Sequence, residues 1–194
     1  LRLVNTIESY FKKKVSHLDL GCGGGGLVFD FLVSGHTSIG LDGSDFAKKG
    51  SLNHWQIIRH NLFCADITKK FLINDYSSLE IITFDLITAF EVLEHLEESD
   101  IPGLINNLKT NMHKKSIFMC SVATFEDKEQ EIVWHKTIKS KDWWIKKFTK
   151  NGFKDISNQF SYLDYARGSS NPTTMDWNAH YESDLGFHLA LELI

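Results

Sequence analysis

Five of the six residues from Gly21 to Gly26 are glycine, and Asp19 stands two positions before the run. Glycines let a backbone turn tightly and approach a ligand with no Cβ in the way. A plain turn from strand to helix needs one or two of them, so this run points to a ligand loop. Gly21-x-Gly23-x-x-Gly26 fits the spacing of a dinucleotide fingerprint. Asp19 argues against a pyrophosphate there, because a carboxylate beside phosphates costs affinity. It suits a ligand with positive charge and no phosphate. Asp42 closes Ile39-Gly40-Leu41-Asp42-Gly43-Ser44, where an acid can accept from both hydroxyls of a ribose. A carboxylate flanking a helix start is the other reading. Asp66, in Cys64-Ala65-Asp66-Ile67, can accept from an adenine amino group or simply cap the turn before Thr68.

A second group carries titratable chemistry. Glu91, Glu94 and His95 form a Glu-x-x-Glu-His cluster. These are ligand types for a divalent cation, but the sequence offers no evident fourth partner, so no metal is expected. The competing reading has Glu94-His95 capping a turn and Glu91 bordering the ligand pocket. His135 lies in Val133-Trp134-His135-Lys136-Thr137. An imidazole titrates near neutrality and can take a proton from a hydroxyl or amine, which makes His135 the candidate catalytic residue. The alternative is a loop histidine packed on tryptophan. Trp143 and Trp144 read as core. Lys136, Lys139, Lys141, Lys146, Lys147 and Lys150 read as a solvated face.

These residues need elements to position them. An amphipathic helix is expected over Asn5 to Lys14, then strands at Val15 to Leu20 and Thr37 to Leu41 flanking a helix from Leu27 to Val33. A helix from Asp45 to Leu52, capped by Ser44, precedes strands at Leu62 to Ala65 and Phe84 to Phe90. The last of these is nearly all apolar, as a strand covered on both faces should be. Pro102 suits the first turn of a helix ending near Lys109. A strand at Ser116 to Val122 and a helix from Ser140 to Lys150 follow, the helix stopped by Asn151-Gly152. Phe153 to Phe160 and Gly186 to Leu193 close the chain as strands, with no helical pattern between them. Such an alternation means an α/β fold with a mostly parallel sheet and an antiparallel hairpin at one edge. The long connection from Ser161 to Asp184, with Asp164, Tyr165 and Arg167, is expected to be mobile and to act on substrate use rather than cofactor binding.

Composition sets the outer bounds. The 194 residues suit one domain, 1–194, with 42% apolar and 24% charged residues. A net charge of −4 demands neither nucleic acid nor an anionic membrane as partner. No apolar run approaches the roughly 20 residues of a membrane span. Three cysteines with no pairing pattern fit a reducing, cytoplasmic compartment. The chain opens at Leu1 without Met, so an incomplete N-terminus is expected.

The glycine loop from Asp19 to Gly25, Asp42, Asp66 and the block Phe84-Asp85-Leu86-Ile87-Thr88-Ala89-Phe90-Glu91-Val92-Leu93-Glu94-His95-Leu96 together resemble the class I S-adenosylmethionine-dependent methyltransferases, in particular their ubiquinone- and glycan-associated branches. The likeness spans nearly the whole chain, although the long N-terminal helical lid of many relatives is short or lacking here. It implies a three-layer Rossmann-like fold with a seven-stranded sheet whose last strand is antiparallel. It implies S-adenosylmethionine as cofactor, whose ammonium and sulfonium suit Asp19. Implied cofactor residues are Asp19, Gly21, Cys22, Gly23, Gly25, Asp42, Gly43, Asp66, Ile67, Phe90 and Glu91, with Ala89 and Phe90 against the methionine end. The implied reaction moves a methyl group to an oxygen or nitrogen of a small or sugar-like acceptor. A nicotinamide-type oxidoreductase and a non-catalytic cofactor-binding partner subunit are the competing readings. The oligomeric state is not legible.

Overall fold

A computed structural model describes residues 2–75, 77–161 and 185–194. The strands are β1 (Ser16–Leu20), β2 (Thr37–Asp42), β3 (Leu62–Cys64), β4 (Phe84–Phe90), β5 (Met112–Ala123), β6 (Lys128–Glu129), β7 (Ile132–Val133), β8 (Phe153–Asp155) and β9 (Gly186–Leu193). The helices are α1 (Arg2–Phe11), α2 (Gly26–Val33), α3 (Phe46–Lys49), α4 (Ile101–Asn111) and α5 (Lys141–Thr149). Seven strands form one sheet in the order β3-β2-β1-β4-β5-β9-β8, and β6 and β7 pair as a separate hairpin. β9 runs antiparallel to both β5 and β8, while β1 to β5 are parallel. The α/β fold with a mostly parallel seven-stranded sheet is therefore as the alternation of elements implies. β8 and β9 form the expected antiparallel hairpin at one edge, with β9 lying between β5 and β8.

The period of two along the strands divides the core into two layers. Leu86, Ile117, Met119 and Ala190 face α1 and Phe31 of α2. Their immediate neighbours Ile87, Phe118, Cys120, Leu189 and Leu191 face α4 and α5, where Leu104, Leu108, Trp144 and Phe148 pack. Trp144 is fully buried, as read from the sequence, and Ser140 caps α5 by accepting from the Trp143 amide.

Four elements differ from their expected extents. The helix after β2 is only four residues long, because Ser51 and Asn53 adopt left-handed φ angles of 47° and 50° and break it. The chain then makes a 3-10 turn over Asn53–Gln56. β8 stops at Asp155, whose Oδ1 accepts from the Ser157 amide at 2.9 Å and bends the chain into another 3-10 turn. α1 ends at Phe11 because Lys12 turns left-handed at φ 55°. β5 begins at Met112, four residues early, with an irregularity in its pairing to β4. The expectation for Ser161 to Asp184 falls outside the described residues beyond Ser161 itself.

α4 positions the stretch that carries Asp66 and Ile67. A Cβ on Gly103 would stand 2.5 Å from the Thr68 carbonyl oxygen, so the missing side chain lets the segment lie against the helix. One turn on, buried Asn107 donates from Nδ2 to the carbonyls of Ile67 and Lys69, at 2.8 and 2.7 Å. Replacing Asn107 by Leu leaves those carbonyls without their donor. Urea unfolding should then show a loss of about 1–3 kcal/mol. An unchanged midpoint would mean that apolar contacts alone hold the segment.

Candidate active site

The first strand ends at Leu20, and the glycine turn follows. Gly21, Gly23 and Gly25 adopt φ angles of 72°, 50° and 80°, which only glycine takes without strain. Gly21 also touches the loop after β4 so closely that any Cβ would run into Val92. The Gly23 peptide is held on both sides. Its amide donates to Asp42 Oδ2 at 2.7 Å, and its carbonyl accepts from the Trp55 indole at 2.8 Å. The Gly21 and Cys22 amides both donate to the Leu41 carbonyl, at 2.7 and 3.0 Å. Trp55 carries no motif signal, and nothing local in the sequence points to this role.

Beyond the carboxyl ends of β1, β2 and β4 lies a cleft of about 740 Å³. This is where an open parallel sheet takes its ligands. One wall is built by Gly21, Asp42, Gly43, Ser44, Asp66, Ile67, Glu91 and Val92. His95, Leu96 and the stretch Ile132, Val133, Trp134 and Lys136 from β7 and its exit line the same cleft. Of the sequence-derived cofactor residues, Gly21, Asp42, Gly43, Asp66, Ile67 and Glu91 thus line one wall. Asp19, Cys22, Gly23, Gly25 and Phe90 do not line it. Cys22 is buried with Trp55, Val28 and Leu62, and its sulfur fills the space beside Gly40. Gly25 caps α2 against Leu62. Phe90 packs toward the α1 layer, its ring centroid 6.4 Å from that of His188.

Asp42 binds the Gly23 amide with one oxygen and the Ser44 amide with the other, at 2.7 and 2.8 Å. Each carboxylate oxygen can accept again. Asp66 Oδ1 accepts from both the amide and the hydroxyl of Thr68, at 2.9 and 2.6 Å, which is the turn-capping arrangement. Those bonds hold its carboxyl below the ordinary aspartate range. Glu91 takes a left-handed φ of 55°, and Ser121 donates its hydroxyl to Glu91 Oε1 at 2.6 Å.

Asp19 lies beneath the glycine turn. Parallel register sets it beside Thr88, whose hydroxyl donates to Asp19 Oδ1 at 2.6 Å. Thr88 in turn meets His17 Nε2 at 2.8 Å, and His17 Nδ1 meets the Ser38 hydroxyl at 2.8 Å. Burial pushes the Asp19 carboxyl up to about 7, opposed by the Thr88 hydrogen bond and assisted by the charge of Asp42. Burial also lowers His17 to about 3, so the column contains a neutral imidazole.

The second cluster is not the one read from the sequence. Glu94, His95 and His135 come together, with one ligand atom of each lying within 4.8 Å of the others. Glu91 is not in this group. His135 is buried, and its chain neighbours Trp134 and Lys136 line the cleft in its place. His95 is the histidine on the wall.

The fold and this cleft define a Rossmann-like methyltransferase domain. Residues 1–163 match the family described as "Methyltransferase domain", and the chain belongs to that family. It is an S-adenosylmethionine-dependent methyltransferase, which sets aside the oxidoreductase reading. No curated protein matches it significantly. Among solved structures it is similar to the glycopeptide N-methyltransferase MtfA complexed with S-adenosylmethionine, at 14% identity and a TM-score of 0.59, over 100% of this chain and 93% of that one. It is similar to an amino pentose methyltransferase from Micromonospora echinaspora involved in calicheamicin biosynthesis, at 11% identity and a TM-score of 0.63, over 99% and 89%. A third is an S-adenosylmethionine-dependent methyltransferase from Mesorhizobium loti, at 14% identity and a TM-score of 0.61, over 92% and 91%.

Two outcomes follow for the carboxylates. Asp42→Ala should weaken S-adenosylmethionine binding by roughly ten- to a hundredfold, the value of about 1.5–3 kcal/mol for hydrogen bonds to a charged group. Calorimetry on the folded variant checks this, and an unchanged affinity would place the ribose partner elsewhere. For Asp19, the folded protein keeps a proton that the unfolded chain loses between pH 3.8 and about 7. Stability therefore falls as pH rises through that window, and the cost is complete above it. Asp19→Asn should raise the unfolding temperature relative to the parent by an increment that grows from pH 5 to pH 8. An increment independent of pH would contradict the buried-acid assignment.

Proposed function

We propose that the protein transfers a methyl group to a nitrogen or oxygen of a small, sugar-like acceptor that enters against the Trp134 wall. The observation that carries this reading is the chemical division of the cleft. One wall holds the glycine turn and the carboxylates of Asp42 and Asp66; the other presents exposed Ile132, Val133 and Trp134 with Lys136 beside them. The cofactor fits the first wall. A Cβ on Gly23 or Gly43 would meet open space, so the backbone there is free to be approached. Asp42 would accept from the ribose hydroxyls, Asp66 from the adenine amino group, and buried Asp19 would offset the ligand's positive charge from beneath the turn.

S-adenosylmethionine supplies an electrophilic methyl on a sulfonium, which an aligned lone pair takes in a single displacement. The chain's part is mainly positioning. Holding two reactants in line can account for roughly 7–11 kcal/mol of the barrier. The loop after β4 fixes one side of that alignment, since Val92 is pressed onto Gly21 and Glu91 is tied to Ser121. Trp134 offers an apolar face on which a sugar or ring can lie, and Lys136 a cation for an acidic substituent. The glycopeptide and amino pentose acceptors named for the structural neighbours support the sugar-like class. The three free cysteines fit a reducing, cytoplasmic setting, and no helix among the described residues is long and apolar enough to cross a membrane. One catalytic domain spanning 1–194 is part of the same reading.

Calorimetry should show binding of S-adenosylmethionine and of its demethylated product, with none of NAD. Methyl transfer should then be measured on a panel of amino sugars, neutral sugars and glycopeptides with isotopically labelled cofactor. Labelled product from a sugar-bearing acceptor is expected. Cofactor binding with no labelled product from any acceptor would favour a non-catalytic partner subunit instead.

A further inference from the structure

β1 buries an imidazole where a strand covered on both faces needs only apolar side chains. His17 is fully enclosed and stacked on Phe31, with ring centroids 3.9 Å apart. Both of its nitrogens are bonded. Nδ1 meets the Ser38 hydroxyl of β2 and Nε2 the Thr88 hydroxyl of β4, each at 2.8 Å. Thr88 in turn reaches Asp19 Oδ1 at 2.6 Å. Parallel register makes this possible, because Ser38 lies beside His17 and Thr88 beside Asp19. Four side chains from three strands thus form one column that ends on a carboxylate under the glycine turn.

Such a column has two arrangements. A neutral imidazole gives one proton and accepts one, and a hydroxyl has one proton to give. With Asp19 ionised, Thr88 donates to Oδ1, His17 Nε2–H donates to Thr88, and Ser38 donates to Nδ1. With a proton on Oδ1 every donor turns around, and the imidazole proton sits on Nδ1 facing Ser38. The tautomer of His17 therefore follows the charge of Asp19. Among the described residues, the titratable groups acting on the column bring no positive charge to it. Asp42 from β2 acts on Asp19 with a like charge, and Cys22 in the glycine turn is a thiol that burial keeps protonated. His36, just before β2, faces His17, and burial lowers both imidazoles toward the neutral form. Asp19 is raised to about 7, so the free protein carries both arrangements near neutral pH.

We propose that Ser38, His17 and Thr88 are positioning residues that let Asp19 exchange its proton for the positive charge of S-adenosylmethionine, so that binding the cofactor expels one proton and reverses the column. The step moves a proton from Asp19 Oδ1 to solvent, and no bond to carbon changes. It rests on the cofactor reading above, in which the ligand's sulfonium and ammonium lie over the turn and favour the ionised carboxylate. Affinity then rises with pH up to about 7, because below it the incoming ligand must displace a proton.

Calorimetry at pH 6, in buffers of different ionisation enthalpy, counts the protons released per S-adenosylmethionine bound. Nitrogen NMR of histidine-labelled protein reads the His17 tautomer on the same samples. Release of close to one proton is expected, with the His17 proton moving from Nδ1 to Nε2. Thr88→Val should weaken binding at pH 6 by roughly ten- to a hundredfold, the worth of a hydrogen bond to a charged group, and uncouple the tautomer from the cofactor. Thr88→Ser, which keeps the hydroxyl, should behave as the parent does. The reverse order, with Val like the parent and Ser impaired, would mean that Thr88 only packs and would overturn the column's role. Should Thr88→Val fail to fold, the parent protein alone decides: binding without proton release, or a His17 tautomer that is the same in both states, overturns the column's role and leaves the cofactor reading intact. No binding at all would remove that reading and the proton exchange with it.

Discussion

The cleft depends on how the Gly23 peptide is clamped. Its amide is fixed by Asp42 at the end of β2, and its carbonyl by Trp55 in the turn before β3. Three left-handed glycines leave this loop with little conformational preference of its own, so partners from outside must choose its shape. Once chosen, that shape places Gly21 against Val92 and Gly25 against Leu62. The ends of β1, β2, β3 and β4 are thereby locked around one space. Asp42 serves both as a strut for the turn and as a wall of the cleft, so the loop geometry and the ligand acceptor cannot drift apart.

Electrostatics under the turn favour a cationic ligand. An acid raised toward neutrality by burial is a standing cost to the free protein, and the neighbouring Asp42 charge adds to it. A positively charged ligand above the turn relieves that cost, whereas a pyrophosphate would add to it. The Thr88 and His17 column beneath Asp19 fixes its orientation without supplying charge, since His17 is held neutral.

Much of this was legible in the sequence, because its signals are local. The glycine run, Asp42 at the end of β2 and the apolar β4 each announce themselves within a few residues. The unread parts depend on partners distant in the chain. The β8–β9 hairpin is legible as an edge, but that β9 rather than β8 pairs with β5 is a choice no local pattern encodes. The helix expected after Ser44 breaks early because Ser51 and Asn53 turn left-handed, although neither is glycine. Trp55 and Asn107 look like ordinary core and helix residues until the groups they bind are placed beside them. His135 reads as a candidate base from its type and loop position. Only its bond to the Phe125 carbonyl and its approach to Glu94 and His95 give it a different setting.

The residues that line the cleft come from different parts of the chain, the loops after β1, β2 and β4 and the stretch of β7 and its exit. The most direct test of the central claim is amide hydrogen exchange with and without S-adenosylmethionine. The account predicts protection concentrated at residues 21–26, 42–44 and 65–67, with little change in β8. Protection confined to the 128–137 stretch, with the glycine turn exchanging as fast as in the free protein, would contradict it.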